Sequence, residues 1–443
     1  VTGAEPAIAI DALRSGSAAT LLHRVLPERK AELVQLLEHM GQNIDGTTAI
    51  RFNALQTVHF LRWVVLDGAV AGEPPLLMFE SNYDGTLEQH LDDLLLRGAE
   101  GLHQIYSCCA DYPQRGQAQL PGKQHAGVVD YLKAGAVGYQ AFYIGRRGKS
   151  VRRIRLEGQL RDAIQSYLDS LGSDPLRSLG KEPQRVYAKI VEHLEAQHAG
   201  DLQRLRVLDR MEPPAPKRSL LPLLPLVPVL LPLVPVLLPL VPALYAWLRK
   251  LERTDEPLLL DVLPEQTHAL AQREDFQVQN QLTHLVGVKP GLFRQLLLRV
   301  VLTSIDTLGR FYFNQGDLGG LATIHYARWV LIDGGRRLLF LSNYDGSWER
   351  YLGDFVDQAH VGLTAVWSNT LGFPPTKRLV QDGATDEEHF KNWARQHQLP
   401  TQLWYSAYPQ LTVRNVGHNG KICAGLLREP AGAEQLARWL ELL

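Results

Sequence analysis

His59 and Arg62 stand in the run Thr-Val-His-Phe-Leu-Arg-Trp-Val-Val-Leu-Asp-Gly (57–68). His325 and Arg328 stand in a second copy, Thr-Ile-His-Tyr-Ala-Arg-Trp-Val-Leu-Ile-Asp-Gly (323–334). Each run is followed by Ser-Asn-Tyr-Asp-Gly, at 81–85 and 342–346. Imidazole titrates near neutrality, so a histidine beside a carboxylate and a guanidinium has the makings of proton transfer and charge stabilisation. Strand alternation puts His59, Leu61 and Trp63 on one face and Phe60 and Arg62 on the other. Such a histidine and arginine can line an interior or a ligand pocket, but residues kept in both copies of a duplication more often hold the common fold. Asp84 and Asp345 fall at strand-to-helix junctions, where Asp or Asn can cap a helix and the following glycine can take positive φ. One histidine breaks the symmetry. His360 borders the apolar stripe Leu352, Phe355, Val356, Ala359 and Leu363, and its counterpart in the first copy is Ala99. His103 is the first copy's own oddity.

The elements that position these residues follow from the duplication. Residues 19–40 parallel 280–302, aligning His23 with His284, and 141–158 loosely parallel 403–420. In the first copy, 19–26 reads as a strand and 28–40 as a helix with Leu33, Leu36 and Leu37 on one face. Residues 57–66 and 76–80 read as β-branched and aromatic strands. Leu87, Leu91, Leu94 and Leu95 mark an amphipathic helix, and a last strand falls near 139–144. The order is β-α-β-β-α-β, the ferredoxin-like unit. Five segments result: an N-terminal extension (1–17), a first unit (18–158), a helical connector (159–211), a proline-rich apolar insert (212–256) and a second unit (257–443).

Composition narrows the classes. The 443 residues carry 46 basic and 47 acidic side chains, which excludes a broadly cationic nucleic-acid binder and an acidic disordered chain. No nucleic-acid partner is expected. Arg146-Arg147-Gly-Lys149 and Arg152-Arg153 form only a local basic patch, suited to anionic headgroups. Three cysteines without metal-ligand spacing point to a reducing, cytoplasmic compartment. The first residues show no basic-then-apolar signal pattern. No phosphate loop, HExxH, CxxC or GxSxG motif occurs.

The insert departs from the rest. Residues 219–248 carry no charge, and within them LLPLVPV repeats at 223–229 and 230–236, followed by LLPLVPA at 237–243. A spanning helix needs ~20 apolar residues, but an interior proline costs about 3 kcal/mol and removes a donor. A regular span is therefore disfavoured, and an extended, polyproline-like path is locally preferred. Three readings stay open: an interfacial anchor flanked by Lys217, Arg218, Arg249 and Lys250, an arm packed on this chain or another copy, or an inert linker. The contact residues expected are Leu223, Pro225, Val227, Leu230, Pro232, Leu237 and Trp247. The protein is then peripheral or monotopic at a membrane, or self-associating.

Two βαββαβ units in tandem, over roughly 18–158 and 279–425, resemble the dimeric α+β barrel superfamily, in which two ferredoxin-like sheets face each other. The expected fold is thus α+β, an intrachain barrel with a helical connector and the insert. Duplicated single-chain members include dye-decolorising peroxidases and chlorite-dismutase-like proteins. The Asp-Gly closing each Ser-Asn-Tyr-Asp-Gly is similar to the peroxidases' Gly-x-x-Asp-Gly, with Ser81 and Ser342 in place of its first glycine. The resemblance implies a haem between sheet and helices of the second unit, with His360 as the iron ligand. Asp345, Arg328 and His325 become the catalytic groups, moving a peroxide proton and stabilising charge. The implied activity is peroxidase-like oxidation of an apolar or lipid-derived substrate near a membrane. The alternative is a non-enzymatic scaffold whose 219–248 segment contacts lipid or other copies of the chain.

Overall fold

The computed structural model describes residues 16–44, 46, 49–70, 72–113, 126–171, 182–212, 217–226, 228, 231–255 and 264–443. Most of the N-terminal extension (1–15) and the expected contact residues Val227 and Leu230 lie outside them. The protein is a mixed α+β molecule built on two four-stranded antiparallel sheets.

The first half runs β1 (Ser17–Arg24), α1 (Lys30–Gln42), β2 (Val58–Leu66), β3 (Leu76–Tyr83), α2 (Leu87–Tyr106), α3 (Ala126–Ala134), β4 (Ala141–Ile144) and α4 (Val151–Ser170). The connector forms α5 (Pro183–Gln197) and α6 (Ala199–Met211). After the insert come α7 (Val241–Thr254) and α8 (Pro264–Ala271). The second half repeats the order with β5 (Gln279–Gly287), α9 (Leu292–Phe311), β6 (Ile324–Ile332), β7 (Arg337–Asp345) and α10 (Trp348–Trp367). A two-residue hairpin pair, β8 (Thr376–Lys377) and β9 (Gln381–Asp382), and α11 (Glu387–His397) precede β10 (Leu403–Ser406), α12 (Val413–Leu427) and α13 (Ala433–Leu440).

The last strand of each half crosses over. One sheet is ordered β1-β3-β2-β10 and the other β4-β6-β7-β5. Each crossing segment also touches the opposite sheet's free edge. Val137 N bonds Thr20 O of β1 just before β4 joins β6, and Leu399 N bonds Thr283 O of β5 just before β10 joins β2. Otherwise unpaired edge groups are thereby satisfied.

Trp63, Phe79 and Leu61 pack beneath α1 and α2, and Trp329, Phe340 and Leu338 beneath α9 and α10. Between the sheets lies an apolar layer of Val64, Leu66, Met78, Val330, Ile332, Leu339 and Leu341. The connector helices bury Val186, Tyr187, Ile190, Leu202 and Leu205 against Leu156 and Leu160 of α4 and Ile422 of α12. The connector is thus a packed layer. All three cysteines are free and buried.

Strict alternation fails at both histidines. The register of β2 on β3 passes from Val58↔Tyr83 to Phe60↔Asn82, and that of β6 on β7 from Ile324↔Tyr344 to Tyr326↔Asn343. His59 and His325 are the extra residues of two matching bulges, which re-aim a side chain. His59 therefore does not share a face with Trp63. It turns inward, toward the side of Arg62.

Candidate functional site

The residues of the duplicated motif converge between the two sheets. Arg62 and Arg328 are each essentially unexposed. Arg62 donates to Leu282 O (2.9 Å), Thr283 Oγ1 (3.1 Å), Ser342 O (2.9 Å) and Asn343 Oδ1 (2.7 Å), all in the opposite half. Arg328 answers with Ala19 O (2.6 Å), Thr20 Oγ1 (3.1 Å), Ser81 O (2.8 Å) and Asn82 Oδ1 (2.8 Å). One carboxylate serves both cations. Glu80 Oε1 accepts from Arg328 Nη2 at 2.6 Å, and its Oε2 lies 2.8 Å from Arg62 Nε as an ion pair off the hydrogen-bond direction. Burial pulls both guanidinium pKa values down, and Glu80 opposes it. Leu341 occupies the matching position of the second half, so a single acid balances two bases.

A second polar layer holds the histidines. His59 Nε2 is 3.0 Å from Asp84 Oδ1, and His325 Nε2 is 2.8 Å from Asp345 Oδ1. A carboxylate only accepts, so both rings carry hydrogen on Nε2. The other aspartate oxygens accept from Val151 N (2.8 Å) and Val413 N (2.7 Å), at the first residues of α4 and α12. The aspartates thus cap helices, as their type suggests, though not the helices that follow them. Those are capped by Thr86, whose side chain accepts from Gln89 N, and by Ser347, accepting from Arg350 N. His59 Nδ1 is 2.8 Å from the Tyr408 hydroxyl, which also bonds Tyr326, and burial raises both phenols. Tyr408 and Glu80 went unnoticed in the sequence because neither has a counterpart in the other half. Position 408 is matched by Arg146.

The expected haem set does not come together. An apolar pocket of about 240 Å³ lies where the resemblance puts the haem, between β6 and helices α9 and α10. Ile305, Leu308, Trp329, Phe355, Ala359 and Leu363 line it; His360 does not, and among the described lining residues the side-chain polar groups are the Gln358 amide and the Trp329 indole N–H. Small-molecule pockets usually measure about 300–1,000 Å³. Arg328 faces the opposite side of β6 from Trp329, so the sheet separates it from this pocket, and its donors are committed to the first half. Asp345 and His325 are engaged with each other and with α12. These residues do not fit a haem. Among the described residues, no group of three or more His, Cys, Asp and Glu is placed to hold a metal ion.

The insert supplies the other candidate. Five pieces among the described residues each have proline second: Leu221–Leu226, Leu231–Leu233, Val234–Leu237, Leu238–Leu240 and α7. A proline there gives up no helical hydrogen bond, because the first N–H groups have no partner in any case. The segment therefore restarts a helical turn at each of these prolines instead of running extended. No helix among the described residues is long and apolar enough to cross a membrane.

Most of its described apolar side chains are left in the open. Leu221, Leu231 and Leu238 are 69%, 64% and 64% exposed, and Leu240, Leu244, Tyr245 and Trp247 are exposed too. Of the expected contact residues, Pro225, Pro232 and Trp247 are exposed and Leu223 is half-buried; nothing is described of the Leu237 side chain. Leu248 alone is buried among the described residues of 219–248. Among the described residues, the segment touches its own chain chiefly through its two ends.

The apolar surface continues onto α9. Ser219 N bonds Phe311 O at its C-terminal end, and Trp247 stacks on Phe293 at its N-terminal end, with centroids 4.8 Å apart. Leu292, Leu296 and Val300 are exposed at four-residue spacing. Beside Trp247, a cleft gathers Arg249, Lys250, Arg253, Lys377 and Arg378. Glu252 and Asp382 answer only part of that charge.

Compared with known proteins, the chain matches no family model, no curated protein and no solved structure.

Proposed function

We propose that this chain is a non-enzymatic scaffold held at an anionic membrane surface, with the 219–248 insert and α9 lying in the interfacial region. The observation that carries this reading is the exposed leucine-rich surface bordered by five clustered cations. Apolar patches of this kind are uncommon on soluble monomers. Burying a half-exposed leucine recovers about 1 kcal/mol, and each cation near an anionic leaflet adds about 1 kcal/mol. Several of each suffice for stable peripheral attachment. We also infer that the two halves are ferredoxin-like units whose sheets close as one intrachain α+β barrel. The crossing segments 135–144 and 398–406, each bonded to both sheets, support that closure.

Liposome flotation tests the membrane reading. The wild type should float with phosphatidylserine-containing vesicles and less with neutral ones. Leu231→Ser, Leu238→Ser and Trp247→Ser combined should abolish flotation while leaving the circular dichroism spectrum unchanged. Flotation that survives the triple change refutes the reading, as does lipid-free oligomerisation that consumes this surface. A haem-reconstituted protein whose Soret band is lost in His360→Ala would overturn the non-enzymatic assignment.

A further inference from the structure

A second basic cleft, at the end of the sheets where α4 and α12 begin, has a different character from the insert. It measures about 690 Å³ and is lined by Arg146, Arg147, Lys149, Arg153, Lys421 and Arg428, with Asp209 and Glu212. Three of its cations are answered. Lys149 pairs with Glu157, while Arg153 reaches Glu157 (2.8 Å), Asp209 (3.0 Å) and Glu212 (3.4 Å); Arg428 lies 3.7 Å from Asp209. Arg146, Arg147 and Lys421 make no ion pair among the described residues. Three acids thus meet six cations, leaving three positive charges over.

Arg146 is held in place without being neutralised. Its Nε donates to Val413 O (3.2 Å) and its Nη1 to Gln315 O (3.1 Å). Its guanidinium occupies space that a Cβ on Gly417 would fill, and a Cβ on Gly316 would come within 2.7 Å of its Cζ. Gly420 makes room in the same way for the Lys149 amine. Arg147 contributes an independent sign: its Nε is buried with no hydrogen-bond partner among the described residues, and the nearby Asp306 is already bonded to Arg310. A buried donor without an acceptor is costly and uncommon in a finished site.

We propose that this cleft binds a phosphate-bearing ligand, with Arg146, Arg147 and Lys421 supplying its charge-assisted hydrogen bonds. Guanidinium forks match phosphate oxygens, and an ammonium adds a compact point charge. The site does not rest on the membrane reading. His418, beside it on α12, reports the local field: burial and then its neighbours Arg414, Lys421 and Arg146 hold its pKa below the usual value.

Calorimetric titration of the full chain with inorganic pyrophosphate at low ionic strength is the test. Saturable binding is expected, weakened about tenfold or more by Arg147→Gln and by Lys421→Gln, since each removes one charge-assisted bond. The His418 pKa, followed by NMR, should rise on binding. Lys421 is exposed on a helix, so its variant should fold, and the insert variants above should leave pyrophosphate binding unchanged. If pyrophosphate gives no heat but phosphatidic-acid vesicles are retained through Arg147 and Lys421, the phosphate is a lipid headgroup's. Retention of neither, or binding indifferent to both substitutions, overturns the proposal.

Discussion

Replacing Glu80 by glutamine is the sharpest probe of how the two halves are joined. The change is nearly isosteric, so it leaves packing alone and removes one charge from between two buried guanidinium groups. Oε1 loses a charged contact to Arg328 at 2.6 Å and Oε2 one to Arg62 at 2.8 Å. Breaking a buried ion pair typically costs about 3–5 kcal/mol because the surviving charge is stranded. Two are stranded here, but each arginine keeps several carbonyl and amide acceptors. The expected loss therefore stays near that range, at about 3–5 kcal/mol. Against a typical total stability of about 5–15 kcal/mol, this is a large fraction. Urea unfolding monitored by fluorescence and circular dichroism would measure it. A Glu80→Gln cost under about 1 kcal/mol refutes the assigned role.

Other expectations follow from the same interior. His90, stacked on Tyr83 at 4.1 Å, is pushed by burial to a pKa of about 3. Its unfolded value lies near 6.5, so between those limits the unfolded chain binds the extra proton and stability falls as pH falls. His90→Phe should remove about 1.4 kcal/mol per pH unit from that slope, read from urea midpoints between pH 6.5 and 4. No change in slope would contradict the burial. Asp84→Asn and Asp345→Asn each set an amide N–H against a histidine N–H or a helix N-terminus. Each should cost about 1.5–3 kcal/mol in thermal or urea unfolding, and losses of very different size would refute the matched roles. Thr86→Ala, which removes the capping box of α2, should cost about 1 kcal/mol; a neutral result would mean the cap is not formed in solution.

Much of the fold was legible along the chain. The paired His-x-x-Arg-Trp and Ser-Asn-Tyr-Asp-Gly runs reveal the duplication, and their flanking apolar periods yield the element order. These are short-range patterns, set by side-chain alternation and turn chemistry. The site was less legible. A bulge moves His59 to the face that alternation denies it, because an extra residue shifts the phase of a strand. Asp84 and Asp345 were recognisable as capping residues, but the helices they cap begin 67 and 68 residues further on.

The amino-acid sequence by itself determined two homologous halves and a charge-free segment that proline prevents from becoming a continuous helix. Tertiary structure alone decided that each half lends its last strand to the other. It also made Glu80 the single counter-charge of two arginines among the described residues and left Leu221, Leu231 and Leu238 of the insert uncovered while the duplicated histidines went inside. The physical reason is distance. Strand exchange, ion pairing and exposure depend on which surfaces meet across hundreds of residues, and no local period along the chain records that meeting.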